Sequence, residues 1–312
     1  MTPALRVRRP SVGLLYNQTA PALIAHTGGL VEHLSAMPDR LWFDFGRSAP
    51  AGRRFRAARP AIDELRRWAE GRVLAGHGLG LSLPSAMPLD ETMVDAVVAI
   101  QRQLGGFAWY SEHLNLFVTP KGSVPNAQAG LGLPVDCGMA ALALIAPKLR
   151  RLSQAVGCRV LLENGSFFTP LPEMQMEEPA FLNALHEHGL CGTLLDLHNL
   201  LVNERNGGMP ALRYLESLDL EAVEEVHLAG GDDRLGFYAD SHSTLTPAVV
   251  WDWALAFLPR CRRLRAITFE YQESYFDDIG LPALAGEIER LHRLADACRP
   301  VEAELEALAH AG

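Results

Sequence analysis

Two short stretches of the chain place an aspartate two positions ahead of a histidine. In "LLDLHN" (194–199) these are Asp196 and His198, followed by Asn199; in "YADSHST" (238–244) they are Asp240 and His242. Carboxylate and imidazole together are the donor set of iron, manganese or zinc, and are too rich in nitrogen for calcium or magnesium. Taken singly, an aspartate is as readily a helix cap and a histidine as readily a hydrogen-bonded core residue. The choice turns on whether other groups of the same kind reach the same place.

The hydrophobic pattern says where they go. Eight short apolar runs occur: "VGLLYN" (12–17), "RLWFDFG" (40–46), "RVLAGHG" (72–78), "FAWYSEH" (107–113), "CRVLLEN" (158–164), "CGTLLDLHN" (191–199), "EEVHLAG" (224–230) and "RAITFEY" (265–271). Short continuous apolar runs suit strands buried on both faces. Helical patterns separate them at 61–71, 88–106, 137–157, 177–189 and 247–259, with a C-terminal helix from Leu281 to about Ala309. Asp90 is placed as an N-cap and Pro147 as a kink. Eight alternations predict an α/β chain folded as a single (β/α)8 TIM barrel spanning 1–312, with a loose N-terminal arm over about residues 1–10. The absence of G-x-G-x-x-G after the first run argues against a dinucleotide fold.

In such a barrel the strand ends converge on the C-terminal mouth. The third run ends in His77, the fourth in His113, the fifth in Glu163 and Asn164, and the sixth in Asp196 with His198 or Asn199. The seventh carries His227, its following loop brings Asp240 and His242, and the eighth ends in Glu270. Carboxylates crowded and desolvated at one mouth repel, and cations remove that cost. Five histidines and four carboxylates exceed the needs of one ion, so two or three metal ions are implied. No cysteine stands at a strand end, which excludes thiolate sites. Metals held there activate water, or dioxygen if redox-active, with Glu163, Asp240, His242 and Glu270 as candidate catalytic residues. His198 and Asn199 both stay open as the second strand-six ligand. His26 and His33, seven apart on the first helix, and His186, His188, His292 and His310 are assigned surface roles.

Composition narrows the setting. Hydrophobic residues make up 48% of the 312 and charged residues 21%, as in soluble globular proteins. A net charge of −9 argues against a nucleic-acid partner, and the basic stretches at 5–10 and 52–60 read as solvated surface. Five cysteines without a C-x-x-C pair fit a reducing compartment. No apolar run reaches about 20 residues, so no membrane span is expected, and no signal peptide is seen; the expected location is cytoplasmic. Two loops are long enough to hold substrate: residues 116–136, and "GSFFTPLPEMQMEEP" (165–179), whose Phe167 and Phe168 either cover the core or wall a peptide cleft. Asn164 is a candidate for orienting groups at the mouth, and Arg205 for holding a substrate carboxylate.

The stretches "HGLGLSL" (77–83), "SEH" (111–113), "LLENGS" (161–166), "MEEPAFLNAL" (176–185), "CGTLLDLHNLLVNERNGG" (191–208), "EVHLAGG" (225–231), "DSHS" (240–243) and "TFEY" (268–271) resemble the multinuclear non-haem iron-dependent oxidases. That family includes the methanobactin oxazolone-forming enzyme and the enzyme that excises a β-carbon from a peptide cysteine. The resemblance runs from about residue 70 to 271 and implies a xylose-isomerase-like barrel with two or three irons. It further implies oxidation of a cysteine in a ribosomally synthesised precursor peptide, often with a partner protein that presents the peptide. The implied ligands are His77, His113, Glu163, Asp196, Asn199, His227, Asp240, His242 and Glu270. The second run departs from the family pattern, leaving Asp44 as a stand-in. The wider barrel superfamily offers the alternatives of a zinc- or manganese-dependent hydrolase or isomerase acting on a sugar or phosphate ester, and of a non-catalytic metal-binding barrel.

Overall fold

Eight parallel strands pair with their chain neighbours and close the first onto the last: β1 (Ser11–Leu15), β2 (His33–Ala36), β3 (Val73–Gly78), β4 (Trp109–His113), β5 (Arg159–Glu163), β6 (Gly192–Asp196), β7 (Val223–Leu228) and β8 (Ala266–Phe269). This computed structural model describes residues 9–50, 52–118, 128–171 and 173–298. Among them the helices are α1 (Ala20–Thr27), α2 (Arg59–Ala69), α3 (Glu91–Leu104), α4 (Met139–Val156), α5 (Glu178–Glu187), α6 (Leu197–Arg205), α7 (Ala211–Ser217), α8 (Ala248–Phe257), α9 (Phe276–Ile279) and α10 (Leu281–Ala297). No described helix is long and apolar enough to cross a membrane. His310, the expected end of the last helix and most of the N-terminal arm lie outside the described residues.

Strand alternation divides the barrel into two chemistries. Outward residues such as Val12, Leu34, Tyr110, Val160, Leu162, Leu195, Val226 and Ile267 join the helices in one large apolar core. Inward residues Ala75, Trp109, Leu161, Leu194 and Ala266 form a separate small cluster that plugs the axis. Two or four positions further along the same strands stand His77, His113, Glu163, Asp196 and Glu270. The plug is therefore the floor beneath the chemistry.

A buried polar string crosses the axis. The Trp109 indole donates to Glu225 Oε2 at 2.6 Å, and Thr268 Oγ1 donates to Glu225 Oε1 at 2.7 Å. His33 Nε2 reaches Thr268 Oγ1 at 2.9 Å from β2, passing over Gly13 of β1, which pairs in register with both. A Cβ at Gly13 would stand 2.2 Å from the His33 carbonyl oxygen and 2.5 Å from its ring. Glycine is needed here for close approach. Burial pushes the His33 imidazole down to about 4. On β7 the pairing slips between Thr193–Val223 and Leu194–Glu225, a bulge that lets two successive glutamates be buried. Glu225 takes the axis, while Glu224 meets Arg159 at 2.7 Å and Arg265 nearby.

Two expectations are corrected. The second barrel strand is His33–Ala36, not 40–46, so His33 is not on the surface of the first helix but fully buried in the barrel. Its inward residues are polar, leaving only Leu34 and Ala36 as an apolar signal. The aromatic run instead gives Trp42–Asp44, which pairs antiparallel with Phe55–Ala57 in a hairpin. There Phe43 and Phe45 are more than half exposed, with the Arg56 guanidinium 5.2 and 5.3 Å from their rings. Asp44 accepts both arms of the Arg54 fork at 2.9 Å, and Arg54 also meets Asp90 at 2.6 Å, the residue that caps α3. Asp44 is thus a clamp on the hairpin. Secondly, β6 stops at Asp196 and α6 begins at once, so residues 197–199 are helical.

Gly13→Ala is expected to lower stability by about 1–3 kcal/mol through overpacking, read as a fall in the urea midpoint. Gly29→Ala, which meets nothing within 4 Å, serves as the control and should leave the midpoint nearly unchanged.

Candidate metal centre

Two histidines converge on one oxygen of Glu163. His113 Nδ1 lies 3.0 Å from the Gly78 carbonyl, which can only accept, so this nitrogen carries the proton and Nε2 keeps its lone pair. Ser111 donates to the Gly76 carbonyl at 3.3 Å and therefore accepts from His77 Nδ1 at 2.8 Å. Both free Nε2 atoms then face Glu163 Oε2, at 3.2 Å from His113 and 3.5 Å from His77.

Strand β6 is fastened to β5 just below the mouth. The Asp196 main-chain N–H donates to Asn164 Oδ1 at 2.7 Å, and Asn164 Nδ2 returns a bond to the Asp196 carbonyl at 2.9 Å. Asp196 Oδ1 caps α6 by accepting the Asn199 N–H at 2.7 Å. It is a cap and a member of the mouth at once. Asn199 Nδ2 donates to Glu163 Oε1 at 3.2 Å and to the Asn164 carbonyl at 3.0 Å. His198 turns elsewhere: Nδ1 stands 2.9 Å from Asp240 Oδ1 and Nε2 3.5 Å from the Tyr238 hydroxyl. A Cβ at Gly231 would lie 2.9 Å from that ring and 2.1 Å from the Ala239 carbonyl, so glycine makes the room.

The remaining groups come from β7, its loop and the end of β8. His242 has φ +50°, a left-handed conformation uncommon for a side chain of this kind. Its Nε2 is 2.9 Å from Asp240 Oδ1 and 3.4 Å from Glu270 Oε2. His227 Nδ1 is 3.0 Å from Glu270 Oε1. Close as these atoms are, several lack hydrogen-bond alignment. Glu163 Oε2, Asn199 Oδ1, His227 Nδ1, His242 Nε2 and Glu270 Oε1 are all buried without a hydrogen-bond partner. Unpaired buried polar atoms are costly, and five at one place need an explanation. Potential ligand atoms of His77, His227 and Glu270 lie within 4.8 Å of one another, as do those of His77, His113 and Glu163, and of Glu163, Asp196 and His227. Shared members make this one continuous centre that could hold more than one ion.

The electrostatics agree with that reading. Burial, then neighbouring carboxylates, pushes Asp196 up to about 7; burial also holds Glu163 well above the carboxylate range. Burial opposes the charge of Asp240 and Glu270 as well, but His242 and His198 beside the first, and His227 and His242 beside the second, outweigh it and hold both low. Against burial, Asp240 and Glu270 raise His242 to about 10, and Glu270 and Glu225 raise His227 well above the imidazole range. Burial lowers His77 and His113. Without a cation, protons do the work of neutralising this mouth.

A cavity of about 440 Å³ opens against Asp240, lined by Ser166, Phe167, Phe168, Arg234, Gln272 and Tyr275 among others. Phe168 meets Phe237 edge-on at 5.7 Å. The Arg205 guanidinium lies 4.2 Å over the Tyr238 ring, and the arginine at the cleft is Arg234, forked onto Asp232 at 2.9 and 3.0 Å. Sequence reasoning passed over Arg234, Tyr275, Ser111 and Glu225. For the last two a signal existed: each stands two residues before a mouth histidine and so shares its inward face.

A model of the family described as RiPP precursor modification enzyme MbnB/TglH/ChrH matches residues 32–296. The UPF0276 protein of Chromobacterium violaceum is 35% identical over 187 residues, 60% of this chain and 66% of that protein. That of Neisseria meningitidis serogroup B is 31% identical over 188 residues, 60% of this chain and 65% of that protein. The chain thus spans just under two thirds of the length of these two curated relatives. An Anaeromyxobacter relative is 29% identical over 238 residues, 74% and 80% of the two chains. Among solved structures, D-psicose 3-epimerase from Clostridium cellulolyticum H10 with D-tagatose has a TM-score of 0.55 at 11% identity, covering 93% of this chain and 100% of that one. The IolI protein with a bound zinc atom has a TM-score of 0.53 at 12% identity, covering 92% and 98%. These two likenesses show the fold alone, a closed (β/α)8 barrel.

Cation binding to the metal-free chain should release protons, and affinity should rise between about pH 6 and 8. The sign follows from Asp196, which keeps its proton up to about 7, and His242, which keeps its own to about 10. Titrating the protein with zinc in a pH-stat counts the protons; no release would contradict this account of the charges.

Proposed function

We propose, from the premise that this chain belongs to the MbnB/TglH/ChrH family of RiPP precursor modification enzymes, that it is a multinuclear iron oxidase acting on a cysteine of a ribosomally synthesised precursor peptide. The observation that carries the reading is the set of five buried, partnerless donor and acceptor atoms converging at the mouth. Their mixture of imidazole nitrogen and carboxylate oxygen suits iron. Iron there supplies redox chemistry toward dioxygen, which no side chain offers.

The chain's own residues have divisible tasks. His77, His113 and Glu163 hold one side of the centre, and His227, Glu270, Asp240 and His242 the other, with Asp196 and Asn199 between. Asn199 is the better second residue of the strand-six set, because its Oδ1 is orphaned while His198 braces Asp240 from behind. Asp240 alone of the mouth carboxylates also lines the cleft, so it is the group of the centre that meets the peptide first, with His242 beside it. Phe167, Phe168 and Tyr275 exclude water from the peptide, and Ser166 and Gln272 offer it hydrogen bonds. Asn164 keeps β5 and β6 in register, which sets Glu163 against Asp196. A partner protein that presents the peptide completes the proposal.

The same donor set also suits zinc or manganese, and that supports a second reading as a hydrolase or isomerase. Elemental analysis of protein purified without oxygen separates them. Two or more irons per chain, and modification of a cysteine peptide only when dioxygen is admitted, are expected. Full zinc or manganese occupancy with sub-stoichiometric iron would reject the oxidase. Glu163→Gln and His242→Ala should each lose bound metal and at least about a hundredfold in turnover, since the acid–base contribution alone is of that order. Full activity in either would remove the mouth from the chemistry.

A further inference from the structure

We propose that Glu225 is a positioning residue that makes Nδ1, and not Nε2, the metal-facing atom of His227. The inference rests on the metal-centre reading above and adds a residue one step behind it. Glu225 is fully buried on the barrel axis, and three donors of different kinds point at it. The Trp109 indole can only donate, and does so to Oε2 at 2.6 Å. The Thr268 hydroxyl spends its single proton on Oε1 at 2.7 Å. His227 Nε2 stands 3.3 Å from the same Oε1.

The direction of each bond follows from counting protons. A carboxylate that receives an indole N–H and a hydroxyl O–H offers His227 only an acceptor, so Nε2 must carry the hydrogen. That makes Nδ1 the nitrogen whose proton a metal can displace; it is buried, lacks a hydrogen-bond partner and faces Glu270 Oε1 at 3.0 Å. Thr268, its proton committed, accepts from His33 Nε2 at 2.9 Å, and His33 Nδ1 continues to Ser11 Oγ at 3.0 Å. Gly13 keeps this path clear for the His33 ring. The string beneath the mouth is therefore polarised toward Glu225 from both sides.

The three innermost histidines are consequently not equivalent. His77 and His113 present Nε2 and are backed by a serine hydroxyl and a main-chain carbonyl. His227 presents the other nitrogen and is backed by a carboxylate, which draws on the N–H and makes the opposite nitrogen the stronger donor. The ion position shared by His227 should bind more tightly than the one between His77 and His113.

Zinc serves as the diamagnetic probe. In the zinc-loaded wild type, long-range proton–nitrogen NMR of the histidine side chains should show His227, assigned by its loss in His227→Gln, with hydrogen on Nε2 and metal on Nδ1. Glu225→Gln puts an amide NH2 against one of three donors, and zinc affinity at the tightest position should fall roughly 10- to 100-fold. Trp109→Phe removes one donor but keeps the Glu225–His227 contact, so it should lose stability while retaining zinc affinity within a few fold. Metal on Nε2 of His227, or unchanged zinc affinity in a folded Glu225→Gln, would overturn the inference and leave the metal centre standing. If Glu225→Gln does not fold, the wild-type tautomer alone decides. A wild type that binds no zinc, iron or manganese would overturn the metal centre itself, and this inference with it.

Discussion

Glu163, Asp196 and Glu270 lose water at the same end of one barrel, with the half-buried Asp240 beside them. Desolvating a carboxylate costs several kcal/mol even after relaxation, and a neighbouring carboxylate adds to that cost. Much of the local architecture is a response. Asp196 sits at the N-terminus of α6, where the helix dipole favours negative charge. Asp240 and Glu270 lie against His242 and His227. Glu163 receives an amide from Asn199 on one oxygen, while its other oxygen faces two imidazole lone pairs and stays unpaired. What these devices leave unpaired is what a cation would take.

Supporting such a mouth shapes the rest of the barrel. The inward faces could not be uniformly apolar, because the histidines need partners behind them. Ser111, Glu225, Thr268 and His33 supply these, and only Ala75, Trp109, Leu161, Leu194 and Ala266 remain for an apolar floor. Stability is therefore carried on the outside of the strands, where their other faces meet the helices. The loop side is built from hairpins as well as coil: 42–44 with 55–57, 116–118 with 128–133, and 232–234 with 237–239. Arg54 ties the first of these to α3.

Much of this could be read from the chain, for a physical reason. A parallel strand buried on both faces is a continuous apolar run, so the polar residue that ends it stands out, as His77, Glu163, Asp196 and Glu270 do. The same logic misled at β2. There the inward residues are polar by necessity, the run shrinks to Leu34 and Ala36, and the aromatic hairpin nearby looks more like a strand than the strand does. It also hid α6, whose first seven residues are buried on every side and show no amphipathic period. Glu225 was missed because a charged residue inside an apolar run reads as surface. Its place two residues before His227 marks it as inward-facing, and donors from β4 and β8, far off in sequence, hold it there.

The plugged axis has a consequence for traffic. A tryptophan and four aliphatic side chains pack the floor, and the cleft against Asp240 opens on the opposite, rim side of the ionisable layer. An extended chain seated in the cleft against Asp240 then stands in the way of whatever comes after it. Through this cleft, arrival and departure share one opening. Whatever uses that opening inherits an order of arrival from it.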